Sequence, residues 1–114
     1  MLAYARIVGD DLELTMVTLT LDAIDEASAA KLMSVLAKYV VVSRGHTGSR
    51  NIDLLTSVTQ PNRYLLVQKW DSPATQQAHF DSPEMVEMAE ACRGLLSRPP
   101  TVDLWEGMSA HDLA

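Results

Sequence analysis

The stretch Pro61-Asn62-Arg63-Tyr64-Leu65-Leu66-Val67-Gln68-Lys69-Trp70-Asp71-Ser72-Pro73-Ala74-Thr75-Gln76-Gln77-Ala78-His79-Phe80-Asp81-Ser82-Pro83 carries the plan of the whole chain. Proline presets φ and asparagine tolerates left-handed backbone, so Pro61-Asn62 reads as a tight turn. Tyr64 to Trp70 is aromatic, aliphatic and β-branched, the composition of a largely buried strand. Asp71-Ser72-Pro73 then stops the strand and opens a helix, with Ser72 as N-cap and Pro73 in the first turn, where a missing N–H is not needed. Asp81-Ser82-Pro83 repeats the signal ten residues later and starts another helix. Trp70 is thus predicted at the end of a strand, and His79 on the helix that folds back from it. That end of the sheet is where chemistry is expected.

Working outward, Asn51 to Val58 reads as a strand that pairs with Tyr64–Trp70 as a hairpin across residues 59–62. Upstream, Asp22 to Arg44 carries a helical period, with Ile24, Ala27, Leu32, Val35, Leu36, Tyr39 and Val40 on one stripe. Asp22 or Asp25 caps its start, and Gly45 is the expected stop. His46 to Arg50 is a loop. Residues 12–21 alternate as a strand, and residues 4–8 read as an extra edge strand or swapped arm beyond the turn Gly9-Asp10-Asp11. Downstream, Pro83 to Arg98 shows an apolar stripe of Met85, Met88, Ala89, Cys92, Leu95 and Leu96. Glu84, Glu87 and Glu90 lie opposite and read as a solvated face. Pro99-Pro100 ends that helix, Thr101 to Trp105 is a last strand, and residues 107–114 are a tail.

The order is β-α-β-β-α-β with a broken second helix: an α+β, ferredoxin-like antiparallel sheet with helices on one face, built by a single domain over residues 1–114. Its strands are apolar on both alternations, yet the helices suffice for one face. A homodimer paired through the open sheet face is therefore expected.

Composition bounds the partners. The 114 residues are 47% hydrophobic and 21% charged, with a formal net charge of −6. An acidic chain is a poor match for nucleic acid, whose phosphates need a basic face. There is no apolar run long enough for a bilayer, no polybasic anchor and no signal-peptide pattern at the N-terminus. A single cysteine, Cys92, fits a reducing cytoplasm.

The run Asn51-Ile52-Asp53-Leu54-Leu55, then Pro61 to Val67, Lys69-Trp70, Ala78-His79, Ser82-Pro83, and Leu95-Leu96 before Pro99-Pro100, resembles the antibiotic biosynthesis monooxygenase domain family over about residues 12–106. The resemblance implies a dimeric α+β barrel with a pocket between sheet and helices in each subunit. It also implies oxygenase chemistry on phenolic or hydroquinone polyketide-like substrates without a cofactor, although the family includes quinol monooxygenases, heme-degrading enzymes and an isomerase-like member. Heme is disfavoured: the position matching the iron-binding histidine of that branch is Ala89, and its first-strand asparagine is replaced within Met16-Val17-Thr18. The familiar turn before the second strand is replaced by residues 45–50, so no contact carries over there.

Cofactor-free oxygenation needs a dry pocket, a hydrogen bond to the developing oxyanion and a base. Trp70 offers an N–H on an apolar body, and His79 accepts a proton near neutrality; the resemblance supports Trp70 most. Tyr64 and Gln68 share the strand alternation of Trp70 and are candidate substrate contacts. Met85, Met88 and Cys92 are candidates for an adaptable apolar lining. Each has a plain alternative: Trp70 as a core plug, His79 as a helix-capping or surface residue, Tyr64 and the Met-Cys stripe as packing. His46, His79 and His111 are far apart in sequence with no ligand spacing, so no metal is expected. The short glycine turns lack a following phosphate-binding helix, which disfavours flavin and nucleotides. Two further readings stay open: a non-catalytic protein that binds a small apolar ligand, and an acid–base isomerase of the same fold.

Overall fold

Asn62 adopts the left-handed backbone its turn demands, at φ 62°, and reverses the chain between two eight-residue strands. The computed structural model describes residues 14–107. They form β1 (Thr15–Asp22), α1 (Glu26–Ser43), β2 (Ser49–Thr56), β3 (Arg63–Trp70), α2 (Pro73–Phe80), α3 (Pro83–Ala91) and β4 (Thr101–Glu106). The expected N-terminal arm, and the expected tail beyond Gly107, lie outside the described residues. The strands make one antiparallel sheet in the order β2-β3-β1-β4. This is the α+β, ferredoxin-like plan, with the second helix split into α2 and α3 at Asp81-Ser82.

Side-chain caps set the helix starts. The Asp25 carboxylate accepts from Ser28 N at 2.7 Å, Ser72 from Thr75 N at 3.2 Å, and Ser82 from Met85 N at 3.3 Å. Each satisfies one backbone donor that the helix cannot, typically about 1 kcal/mol of stability. Because Asp25 is the cap, Ile24 precedes the helix and Ala27 falls on its outer side, so both are exposed. The rest of the expected stripe holds, with Leu32, Leu36, Tyr39 and Val40 buried and Val35 packed against the core, joined by Ala29 and Ser43.

Two other boundaries differ from expectation. α3 ends at Ala91 rather than near Arg98, because Gly94 turns into left-handed backbone at φ 75°. The chain is then drawn to the end of β1, where Ile24 N donates to Leu95 O at 2.9 Å and Leu96 bridges to Ala23. β2 stops at Thr56 because the Ser57 hydroxyl accepts from Thr59 N and Gln60 N and closes the turn. Asp22, between Arg63 at 2.7 Å and Arg98 at 2.8 Å, ties this end of the sheet together.

Val17, Leu19, Leu21, Ile52, Leu66 and Trp70 face the helices and are buried with Leu32 and Leu36. Full burial of each such side chain contributes roughly 2 kcal/mol. The other alternation presents Met16, Thr18, Leu65, Val67, Leu55 and Trp105, and among the described residues no helix lies over it. Among the described residues no helix is long and apolar enough to cross a membrane.

Candidate functional site

Trp70 ends β3 with its indole fully buried. Its N–H can only donate, and it donates to Gln68 Oε1 at 3.0 Å. Gln68 is one buried alternation back on the same strand, so its carboxamide is pinned: oxygen to Trp70, and Nε2 donating to the Tyr39 hydroxyl at 2.9 Å. Tyr39 reaches down from the buried stripe of α1. Its oxygen also pairs with His79 Nε2. His79 comes from the last turn of α2, stacks on Trp70 with ring centroids 4.6 Å apart, and places Nδ1 2.8 Å from His46 Nδ1. His46 Nε2 then meets Glu84 Oε1 at 3.1 Å, where α3 begins.

The six side chains form one continuous path, and one assignment of its protons satisfies each link. Tyr39 O accepts from Gln68, so its single proton is free to go to His79 Nε2. His79 is then bare at Nε2 and protonated at Nδ1, and donates to His46 Nδ1. His46 in turn carries its proton on Nε2 and donates to the Glu84 carboxylate. Every link is satisfied with both imidazoles neutral. Burial favours this state. It pushes His79 down to about 4, helped by the neighbouring His46 and opposed by Glu84, and pushes the Tyr39 hydroxyl up to about 12 against the hydrogen bond of Gln68 and the nearby Ser43 hydroxyl. The Ser43 hydroxyl, one helical turn from Tyr39, is buried without a well-formed hydrogen bond.

Local backbone holds His46 in place. Its N–H donates to Ser43 O and its carbonyl accepts from Ser49 N, both at 3.1 Å. Gly48 follows at φ 84° and packs so closely on α2 that a Cβ there would lie 2.4 Å from Thr75. The Gly48 carbonyl accepts from Asp71 N at 2.9 Å. A register shift between Ser49 and Asn51 lets β2 begin beside this loop.

Hollows lie on and near the path among the described residues. A groove of about 490 Å³ runs between the sheet and α3, walled by Leu19, Leu21, Phe80, Met85, Met88, Cys92 and Val102, with Arg93 and Arg98 among its other wall residues. A second, of about 330 Å³, lies between α1 and α3, lined by Val35, Val42, Tyr39, Met88 and Ala91, together with Lys38, Glu84 and Glu87. A third, of about 360 Å³, opens over His46 and His79 between Gly45, Thr47, Thr75 and Ala78. Met88 lines both of the first two.

The expected site residues are distributed accordingly. Trp70, Gln68 and His79 come together, and Met85, Met88 and Cys92 share the sheet–helix groove; burial raises the Cys92 thiol above its ordinary value. Tyr64 stays apart, at the other end of β3, where its hydroxyl donates to Ala29 O at 2.9 Å. Tyr39, His46 and Glu84 were not legible as site residues. The two histidines are separated by 33 positions yet touch. Glu84, expected on a solvated face, is 35% exposed and bound to His46. The signal available was Gln68: an amide on a buried alternation needs polar partners, and Tyr39 supplies the hydroxyl on the facing stripe.

The family model for antibiotic biosynthesis monooxygenase matches residues 15–91. No curated protein matches the chain in sequence. Among solved structures, a protein of Deinococcus radiodurans provisionally named an antibiotic biosynthesis monooxygenase is 21% identical, with a TM-score of 0.78, and the match covers 84% of this chain and 94% of that one. One of Caulobacter crescentus with the same provisional name is 17% identical, TM-score 0.78, over 86% and 92%. A conserved protein of Methanosarcina mazei is 9% identical, TM-score 0.79, over 86% and 96%. At these identities the likeness speaks for the fold.

Proposed function

The chain belongs to the antibiotic biosynthesis monooxygenase family, and on that premise we propose that it inserts one oxygen atom of dioxygen into a small phenolic or hydroquinone-type substrate without a cofactor. The observation that carries this reading is an apolar groove whose wall residue Phe80 directly follows the buried His79 in α2. The groove takes a flat aromatic body between Met85, Met88 and Cys92, and Phe80, which follows His79 in α2, forms part of its wall. Met88 is shared with the cavity where Tyr39 lies, so a hydroxyl on the substrate is one side chain from the hydrogen-bonded path.

The electron balance needs no outside reductant. An activated CH₂ becomes C=O while dioxygen supplies that oxygen and leaves its second atom as water: R₂CH₂ + O₂ → R₂C=O + H₂O. The substrate gives all four electrons. The protein has to exclude water, accept a proton to make the electron-rich anion, and return it. Trp70 enters as the ring that His79 stacks on and as the anchor of Gln68. Heme has no place in the proposal, since Ala89 offers no ligand atom at the corresponding helical position.

A second copy of the chain is part of the same proposal. Trp105 is 54% exposed and lies opposite Met16 on the open alternation, where no described helix covers it. Sheet-to-sheet pairing would cover the open face and complete a barrel.

The test is oxygen uptake by chelator-treated protein with a panel of hydroquinones and anthrones, beside His79→Gln and Trp70→Phe variants. Uptake above the autoxidation blank, lost in both variants, is the expected result. Uptake that requires added iron or flavin would overturn cofactor independence. Turnover without oxygen consumption would replace the oxygenase by an acid–base isomerase.

A further inference from the structure

We propose that Tyr39 is the catalytic residue that meets the substrate hydroxyl, and that His79, His46 and Glu84 form a relay conducting the proton between Tyr39 and the surface. The chemical class of the ligand rests on the monooxygenase reading above; the relay itself does not.

The geometry sets both ends. Tyr39 lines the cavity between α1 and α3 with Val35, Val42 and Ala91 on its apolar side and Ser34, Lys38, Glu84 and Glu87 on its polar side, and Met88 is the wall this cavity shares with the groove that takes the aromatic body. Its oxygen has two lone pairs, and Gln68 occupies one. The other can accept a ligand O–H. At the other end, Glu84, which also lines this cavity, is 35% exposed and sits 3.1 Å from His46.

One transfer moves four protons in concert. The ligand hydroxyl gives its proton to Tyr39 O as the tyrosine proton passes to His79 Nε2. His79 Nδ1–H passes to His46 Nδ1, and His46 Nε2–H passes to Glu84. Tyr39 and both histidines end neutral. The ligand becomes an anion and Glu84 a carboxylic acid, so charge balances. Tyr39 then donates back to the ligand oxyanion while accepting from Gln68 and His79, which leaves each partner satisfied. Later the path runs in reverse. The stored proton returns to the ligand peroxide anion to make the hydroperoxide, whose C–H proton is then lost to the distal oxygen as the O–O bond breaks, leaving C=O and one water. The relay is then restored without a separate reset.

The charged and titratable groups around the path are few. Lys38 and Glu87 flank the cavity from α1 and α3. Arg44, at the end of α1, turns away to the Ile52 carbonyl at 2.9 Å. Apart from Glu84, none bonds a relay member. The buried Ser43 hydroxyl lies close enough to Tyr39 to favour its ionised form.

Two readouts test this on the intact protein. Nitrogen-15 NMR of the imidazoles at neutral pH is expected to show His79 protonated on Nδ1 and bare on Nε2, with His46 the reverse. A proton on His79 Nε2 in the resting protein would overturn the relay direction. In oxygen uptake, Glu84→Gln at the accessible end and Tyr39→Phe at the inner end are each expected to lower kcat tenfold or more, in the range of general acid–base effects. For Glu84→Gln, KM is expected to hold within about twofold and the pH dependence of kcat to change. Unchanged kcat in a folded Tyr39→Phe protein would overturn the proposal. Absence of uptake by the wild type would count against the oxygenase reading, and the imidazole tautomers would still decide the relay.

Discussion

Tyr39 is bonded on two sides, by Gln68 and by His79, and its removal is felt at both. Tyr39→Phe leaves a buried amide proton and a buried imidazole nitrogen without partners, so a loss of about 1–3 kcal/mol is expected in urea unfolding. A change below about 0.5 kcal/mol would mean the bonds are replaced by water. His79 gives a pH signature. Its value falls from 6.5 in the unfolded chain to about 4 in the fold, so the unfolded state binds the proton more tightly. Its contribution to stability is complete above pH 6.5 and is lost as pH falls towards 4. His79→Gln is expected to flatten that part of the stability profile; an unaltered profile would place the acid lability elsewhere. Trp70 and His79 were readable as neighbours because both flank one strand–helix turn. The residues that join them to solvent were not, because Tyr39 and His46 reach them across the fold from another helix and a loop.

The elements follow from punctuation. Two Ser-Pro starts, the Asp25 cap and the Pro61-Asn62 turn were legible because each acts within a few residues. Boundaries set by long-range contact were less so: the end of α3 depends on Gly94 and on pairing with β1, 70 residues away. Gly48 is the element-scale counterpart of Tyr39, since it lets the His46 loop close on α2. Gly48→Ala combines left-handed backbone with a Cβ driven into Thr75. It is expected to cost at least about 1–2 kcal/mol, measured by thermal or urea unfolding, and to lengthen the His46–His79 contact. Retention of wild-type stability and activity would show that the loop has another way to close.

At the scale of the molecule, one sheet face is covered by helices and no described helix reaches the other. The alternation of residues such as Leu65 and Val67 against Leu66 and Gln68 made both faces visible in the sequence, and the sheet order agrees. Sedimentation is expected to give a dimer at micromolar concentration, and Val67→Lys, a charge at the centre of the open face, is expected to shift it to monomer. A wild-type monomer would remove the barrel from the account. The central claim, that this fold performs oxygenation, is tested most directly by turnover under ¹⁸O₂ with an anthrone substrate in ordinary water. One labelled oxygen in the ketone product and one in water, at one dioxygen per product, is the expected result. Product oxygen drawn from solvent, or dioxygen released as hydrogen peroxide, would contradict it.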